Sequence, residues 1–411
     1  MTSSESRRGT TVLLAVALAI ASAACGSSHG GTNGIDGTNG TNGTNGTNGT
    51  LPNVMTLSVN GTTCSAGSYW NKPCVSVQIC RPGTSTCKTI SDLLLDTGST
   101  GLRVFSSLVS DLGLTNVSVS GGTLTECIGY LDGSAQWGPV AMAGVKLGGE
   151  DAVTVPIQLI DSTFGTAPTS CGTTLDPDPA SAGFNGILGV ANWKEDCGSS
   201  CANDTANGMY YACSGASCAG ATRAVSDQVK NPVAALPLDN NGLIVKLPSV
   251  AAAGSASVEG TLLLGIGTRS NNTLPAGVIK TQLDFNGEFK TAVSGGSSRA
   301  FTDTGSNGLF FNPPASAGLP VCQNTGYADW FCPASILSLN ADNSASSGLG
   351  SRTVAFQLGN AVTIMDNTPV YVSPAVGGPL ATYFDWGLPF FLGRDVYLGL
   401  ETSSGYGWVA Y

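Results

Sequence analysis

Histidine is almost missing from this chain, whose 411 residues include a single one, His29. It falls in a glycine-rich stretch outside any expected folded domain, so Ser-His-Asp catalysis, Cys-His catalysis and histidine-ligated metal sites are excluded. Charge is scarce too. Only 11% of the residues are charged while 42% are hydrophobic and 56 are glycine, a mixture that builds neither long solvated helices nor disordered coil. The 17 basic residues are outnumbered by 27 acidic ones, for a net charge of −10, so a basic phosphate-binding surface and a nucleic-acid partner are not expected. No metal and no cofactor are called for by any motif. What is present is chain enough for two lobes with cores of their own, at roughly 150 residues per domain. The composition points to an all-β protein.

Residues 1–24 carry Arg7 and Arg8 before an apolar run from Val12 to Ala24. That run is shorter than the about 20 apolar residues a bilayer requires, and it has the layout of a secretory signal that is removed. Cys25 follows Ala21, Ser22, Ala23 and Ala24 directly. This placement resembles a bacterial lipoprotein signal, with Cys25 as the lipid attachment site and the exported protein held at the cell envelope. The alternative is ordinary cleavage after Ala24 and a secreted protein with Cys25 free. Residues 25–50 form a Gly-Thr-Asn-rich stretch with glycine at every third position from Gly31 to Gly49. It has no proline to order a triple helix, so it reads as a flexible tether holding the remainder roughly 25 to 30 Å from its anchor.

Twelve cysteines remain beyond Cys25. An even set in an exported chain implies up to six disulfides, with connectivity that spacing alone does not reveal. Cys197, Cys201, Cys213 and Cys218 are spaced too loosely for a paired zinc motif, and oxidation is the expected state. Alternation over Val75 to Cys80, Val153 to Leu159 and Thr353 to Leu358, bounded by Gly, Pro, Asn and Ser, predicts many short strands. A short helix is expected near Ser226 to Leu236.

The most informative feature is a duplication. Leu93 to Phe105 reads LLLDTGSTGLRVF and Phe301 to Phe311 reads FTDTGSNGLFF, with the two Asp-Thr-Gly-Ser runs 207 residues apart. Each is followed by a hydrophobic-hydrophobic-Gly triplet: Ile187-Leu188-Gly189 after the first, Phe391-Leu392-Gly393 after the second. Shared landmarks in a shared order suggest two related halves about an approximate two-fold axis. An isolated Asp-Thr-Gly would be an ordinary turn.

The repeated motif resembles the pepsin-like, bilobal aspartic peptidases, and the resemblance covers most of residues 51–411. It implies a bilobal pepsin-like fold of two β-barrel-like lobes with a cleft between them, the first at 51–270 and the second at 271–411. Asp96 and Asp303 would be the catalytic pair, supported by Thr97, Gly98, Ser99, Thr304, Gly305 and Ser306. Gly260 to Gly265 resembles a strand near the end of the first lobe, and Gly399 to Tyr411 the closing strand of the second. The activity implied is endopeptidase cleavage of a peptide or protein substrate by a monomer. No pro-segment is apparent between tether and first strand.

The chemistry fits the residue types. Hydrolysis without metal or histidine needs one group to take a proton from water and another to give one to the carbonyl oxygen, and two carboxyls sharing a proton can do both. Gly98 and Gly305 permit a tight loop. Ser99 and Ser306 can donate to the carboxylates. Tyr130, in Gly129-Tyr130-Leu131-Asp132-Gly133-Ser134, is the candidate tyrosine of a substrate-covering flap, with Trp137 as the fallback. Arg103 stands where the family has a tryptophan. Pointing inward, its guanidinium would favour the ionised pair; pointing outward, it would leave the chemistry untouched. The competing function is a non-catalytic relative binding a protein or polysaccharide, with Trp137, Trp193, Trp330 and Trp386 as contact surfaces.

Overall fold

The structure, a computed structural model, describes residues 51–411 apart from 66–68, 173, 325, 349 and 368. The proposed signal, tether, His29 and Cys25 lie outside the described residues. The protein is all-β. Its helices are single turns of three to five residues, and the segment expected to be helical near Ser226 to Leu236 contains two such turns, Val225–Asp227 and Pro232–Ala235. Asn231 caps the second by accepting from the Val233 N–H at 3.1 Å, but the prolines and glycines around these turns stop them from lengthening.

Strands arise where the alternation predicted them: Pro73–Cys80, Val153–Ile160 and Arg352–Leu358. Among the described residues, eighteen strands form one hydrogen-bonded network and seven form a second. The seven-stranded sheet spans Phe289–Val293 to Tyr383–Trp386. The larger network does not divide at residue 270. Arg394–Gly399 pairs antiparallel with Gly242–Leu247, and Trp408–Ala410 lies between Arg394–Gly399 and Thr281–Gln282. The last strands therefore join the sheet begun by the first ones, and one continuous apolar core runs from Met55 to Val409. In the seven-stranded sheet the core is aromatic. Phe384 stacks between Phe311 and Trp386 with ring centroids 4.6 and 4.2 Å away, which buries large apolar area on a small sheet.

All twelve cysteines pair, as Cys64–Cys74, Cys80–Cys87, Cys127–Cys171, Cys197–Cys201, Cys213–Cys218 and Cys322–Cys332. Six disulfides mark an exported chain that matures in an oxidising compartment. Among the described residues no helix is long and apolar enough to cross a membrane. Five of the bridges are local, whereas Cys127–Cys171 spans 44 residues and Cys197–Cys201 only 4. By loop-closure entropy the Cys127→Ala/Cys171→Ala variant should lose about 4 kcal/mol of unfolding free energy and the Cys197→Ala/Cys201→Ala variant about 2. Urea denaturation of both, compared with the parent, measures the ratio.

Candidate active site

Each Asp-Thr-Gly-Ser run lies in a turn between two strands, and a third strand from far along the chain is inserted between them. In the first half Cys87–Asp96 enters the turn and Thr100–Phe105 leaves it. Gly186–Val190 runs between them, parallel to the first with Leu188 beside Leu95, and antiparallel to the second with Ile187 beside Arg103. In the second half Gly296–Thr302 leads into Asp303 and Leu309–Phe311 leaves. The inserted strand is Tyr383–Trp386, parallel to the first with Trp386 beside Thr302, and antiparallel to the second with Asp385 beside Phe310. The arrangement is the same in both halves, strand for strand.

This register corrects one expectation. The second inserted triplet is Asp385-Trp386-Gly387, not Phe391-Leu392-Gly393. Leu388–Phe391 is a helical turn with Pro389 in its first turn, and Gly393 bends the chain into Arg394–Gly399 at φ 79°. An acidic residue occupies the first of the two hydrophobic positions, so the pattern could not be recognised. Gly387 and Gly189 serve the same purpose. A Cβ on Gly189 would lie 2.9 Å from the Ser99 carbonyl oxygen, and one on Gly387 2.7 Å from that of Ser306, so each turn rests directly on a side-chain-free residue.

The two turns are locked together reciprocally. The Thr97 N–H donates to Thr304 Oγ1 at 3.1 Å and the Thr304 N–H to Thr97 Oγ1 at 2.9 Å. Each hydroxyl then donates behind the opposite aspartate, Thr97 to the Thr302 carbonyl at 3.1 Å and Thr304 to the Leu95 carbonyl at 2.6 Å. All four bonds are buried, where an unmade partner is costly. Asp96 and Asp303 are thereby brought side by side, fully buried. A Cβ on Gly305 would fall 2.9 Å from Asp96 Oδ1 and 3.1 Å from Asp303 Oδ1, so the inner oxygens converge where only glycine fits.

Support is symmetric too. The Gly98 N–H donates to Asp96 Oδ1 at 2.8 Å and the Gly305 N–H to Asp303 Oδ1 at 2.7 Å. The Ser99 hydroxyl donates to Asp96 Oδ2, and Ser306 to Asp303 Oδ2 at 2.9 Å. Electrostatically the two differ. Burial raises the Asp96 carboxyl above its ordinary range, against the hydrogen bonds from Asp303, Ser99 and Gly98. Burial raises Asp303 as well, helped by the negative charges of Asp96 and Asp385. A buried pair so placed keeps one proton between its members, and the two titrations belong to the pair.

Tyr130 lies at the turn of the hairpin formed by Gly122–Gly129 and Ser134–Lys146. It is buried, and its hydroxyl donates to Gln136 Oε1 at 2.9 Å, while Gln136 Nε2 donates to Asp176 Oδ2 at 3.1 Å. Trp137, the fallback, points the other way: it is fully buried and donates to the Phe164 carbonyl at 2.7 Å. Tyr69 was not anticipated. Its hydroxyl donates to the Gly305 carbonyl at 3.3 Å, and it is packed in the same apolar cluster as Tyr130. Burial raises it well above the ordinary tyrosine range, reinforced by Asp132, Asp303, Asp96 and Asp176. Nothing in the spacing of the loop between Cys64 and Cys74 could have singled it out.

Arg103 points inward and is fully buried. Its guanidinium does not face the aspartates uncompensated, because Nη2 pairs with Glu126 at 2.7 Å and with Asp196 at 3.3 Å, and Nη1 donates to the Thr100 carbonyl at 2.6 Å. Tyr210 donates to Asp196 at 2.8 Å. Its lowering of Asp96 ranks behind burial and three hydrogen bonds. Cys64, Cys74 and Asp92 also lie together, but the two sulfurs are joined and Asp92 pairs with Lys72 at 2.8 Å.

Residues 49–410 match the family described as protein of unknown function (DUF3443), and with nearly the whole chain covered the protein belongs to that family. No curated protein matches it.

Removal of Arg103 should strand two buried acids. Arg103→Leu is expected to lower the unfolding free energy by about 3 to 5 kcal/mol at neutral pH. Asp196 is already raised by burial and by Glu126, so the loss should shrink as falling pH protonates it in the folded variant. Urea denaturation at several pH values measures both effects.

Proposed function

We propose that the protein is an exported aspartic endopeptidase with a bilobal, pepsin-like arrangement, tethered to the bacterial envelope through a lipid on Cys25. The observation that carries the reading is the pair of buried, converging carboxyls contributed by Asp96 and Asp303 from matching turns. A binding module gains nothing from two acids held at such cost in one desolvated place.

In this reading a water lies between the carboxyls. With Asp96 as the ionised member, it takes a proton from this water as the water oxygen bonds to the scissile carbonyl carbon. Asp303 gives its proton to the carbonyl oxygen, neutralising the charge that develops there. The tetrahedral intermediate then collapses: the C–N bond breaks, the proton on Asp96 passes to the leaving nitrogen, and the hydroxyl proton returns to Asp303. The Ser99 and Ser306 hydroxyls and the Gly98 and Gly305 amides hold the carboxyls in place throughout. Both aspartates are sealed from solvent, so an extended peptide enters when the hairpin carrying Tyr130 lifts, and water is excluded when it settles. The two lobes are those at 51–270 and 271–411, with the last strands lent to the first lobe's sheet. The protein works as a monomer and needs no cofactor.

The lack of solvent access to the pair, as distinct from its geometry, favours a second reading, a non-catalytic protein-binding relative. Polysaccharide stacking has less support, since Trp137, Trp330 and Trp386 are buried and cannot offer ring faces to a sugar.

Purified, disulfide-bonded protein should cleave unfolded polypeptide between apolar residues, faster at acidic than at neutral pH. The sign follows from the pair's single proton: the raised Asp303 holds it at low and moderate pH and releases it as pH rises, ending activity. Asp96→Asn and Asp303→Asn should each reduce the rate by about 10² to 10⁴, and a transition-state-mimicking inhibitor should block the parent. Peptide mapping by mass spectrometry across pH is the measurement. No cleavage at any pH would turn the assignment to the binding reading.

A further inference from the structure

The strand register exposes an exchange between the halves. Arg103 and Phe310 each follow their aspartate by seven residues. Arg103 lies beside Ile187 on the inserted strand, and Phe310 lies beside Asp385. The charged and the apolar member have swapped strands. Arg103 is neutralised by Glu126 and Asp196. Asp385 has no counter-ion among the described residues. It is fully buried, and neither of its carboxyl oxygens has a partner at hydrogen-bond geometry.

A buried carboxyl without a partner destabilises a fold, and the matching Ile187 shows that an apolar side chain suits the position. The side chains that bear on Asp385 belong to the aspartate pair. The strand bearing Asp385 abuts the second aspartate, with Asp385 beside Phe301 and the Asp303 N–H donating to the Trp386 carbonyl at 3.0 Å, and the negative charge of Asp385 raises Asp303 as that of Asp96 raises Asp385. Among other titratable or charged groups on the elements packed against it, Gly296–Thr302 carries Arg299, which pairs with Glu288 and lies over the Tyr383 ring. Its own strand carries Tyr383, and the strand Leu309–Phe311 and the turn Leu388–Phe391 carry none.

We propose that Asp385 is a third carboxyl of this centre, a positioning residue that acts on Asp303 through its charge to keep a proton on the aspartate pair towards neutral pH. The proposal rests on the peptidase reading for its use in catalysis. Three carboxyls in one desolvated place cannot all release their protons, because each negative charge makes the next loss harder. Protonated, Asp385 can donate to the Ser306 oxygen while the Ser306 hydroxyl donates to Asp303, since a hydroxyl accepts and donates at once. Ionised, Asp385 opposes ionisation of Asp303 by like charge. Only the ionised state keeps the proton of the pair to higher pH than two carboxyls alone would allow, since a Ser306 hydroxyl donating to Asp303 favours the Asp303 anion.

The test uses Asp385→Asn, which keeps the shape, and Asp385→Leu, which copies the apolar partner of the first half. The alkaline limb of the profile of kcat/KM against pH should move to lower pH by about one unit in both. A carbon-13 NMR titration of aspartate carboxyls, with the Asp303 signal assigned through Asp303→Asn, should show Asp303 losing its proton at correspondingly lower pH. An alkaline limb and an Asp303 titration that stay put in a folded variant would overturn the proposal. Should the Asn variant fail to fold, the Leu variant decides by the same criteria. Should the parent cleave nothing, the peptidase reading fails on its own, and the NMR titration still decides whether Asp385 controls the proton of the pair.

Discussion

Two carboxyl groups buried against each other cannot both be ionised, and the rest of the structure is arranged around holding them in that position. The holding is done by backbone and hydroxyl groups rather than by cations. Thr97 and Thr304 cross the boundary between the halves and bond behind the opposite aspartate, so neither turn keeps its shape without the other. The nearest guanidinium, on Arg103, is consumed by its own pair of acids. Had it been left bare, its charge would have favoured a doubly ionised pair, which can neither donate nor share a proton.

Much of this was legible in the amino-acid sequence, for identifiable reasons. Scarce charge, abundant glycine and period-two alternation are the direct imprint of short, half-buried strands, and the all-β class follows. The meeting of Asp96 and Asp303 was readable because a duplicated motif implies a symmetry axis, and an axis brings equivalent turns together. Burial of Arg103 was not readable, because its counter-charges come from Glu126 and Asp196, residues distant in sequence whose spacing to it carries no pattern. Tyr69 was hidden for the same reason, since it reaches the Gly305 carbonyl across 236 residues.

The inserted strand of the second half is the instructive miss. A search for two hydrophobic residues before glycine passes over Asp385-Trp386-Gly387 and stops at the next acceptable triplet, Phe391-Leu392-Gly393. The backbone nevertheless requires Gly387, where the Ser306 turn leaves no room for a Cβ. A rule built on side-chain polarity fails at the place where polarity has been put to a different use, while the rule built on backbone clearance holds.

The pairing of Arg394–Gly399 with Gly242–Leu247 also bears on how the molecule comes into being. The sheet begun near Val54 is completed by Arg394–Gly399 and Trp408–Ala410, so native assembly waits until these distant strands have been made. Long-range closure of this kind is slow, and bridges such as Cys80–Cys87 and Cys213–Cys218, each formed within one hairpin, can staple local pieces during that wait.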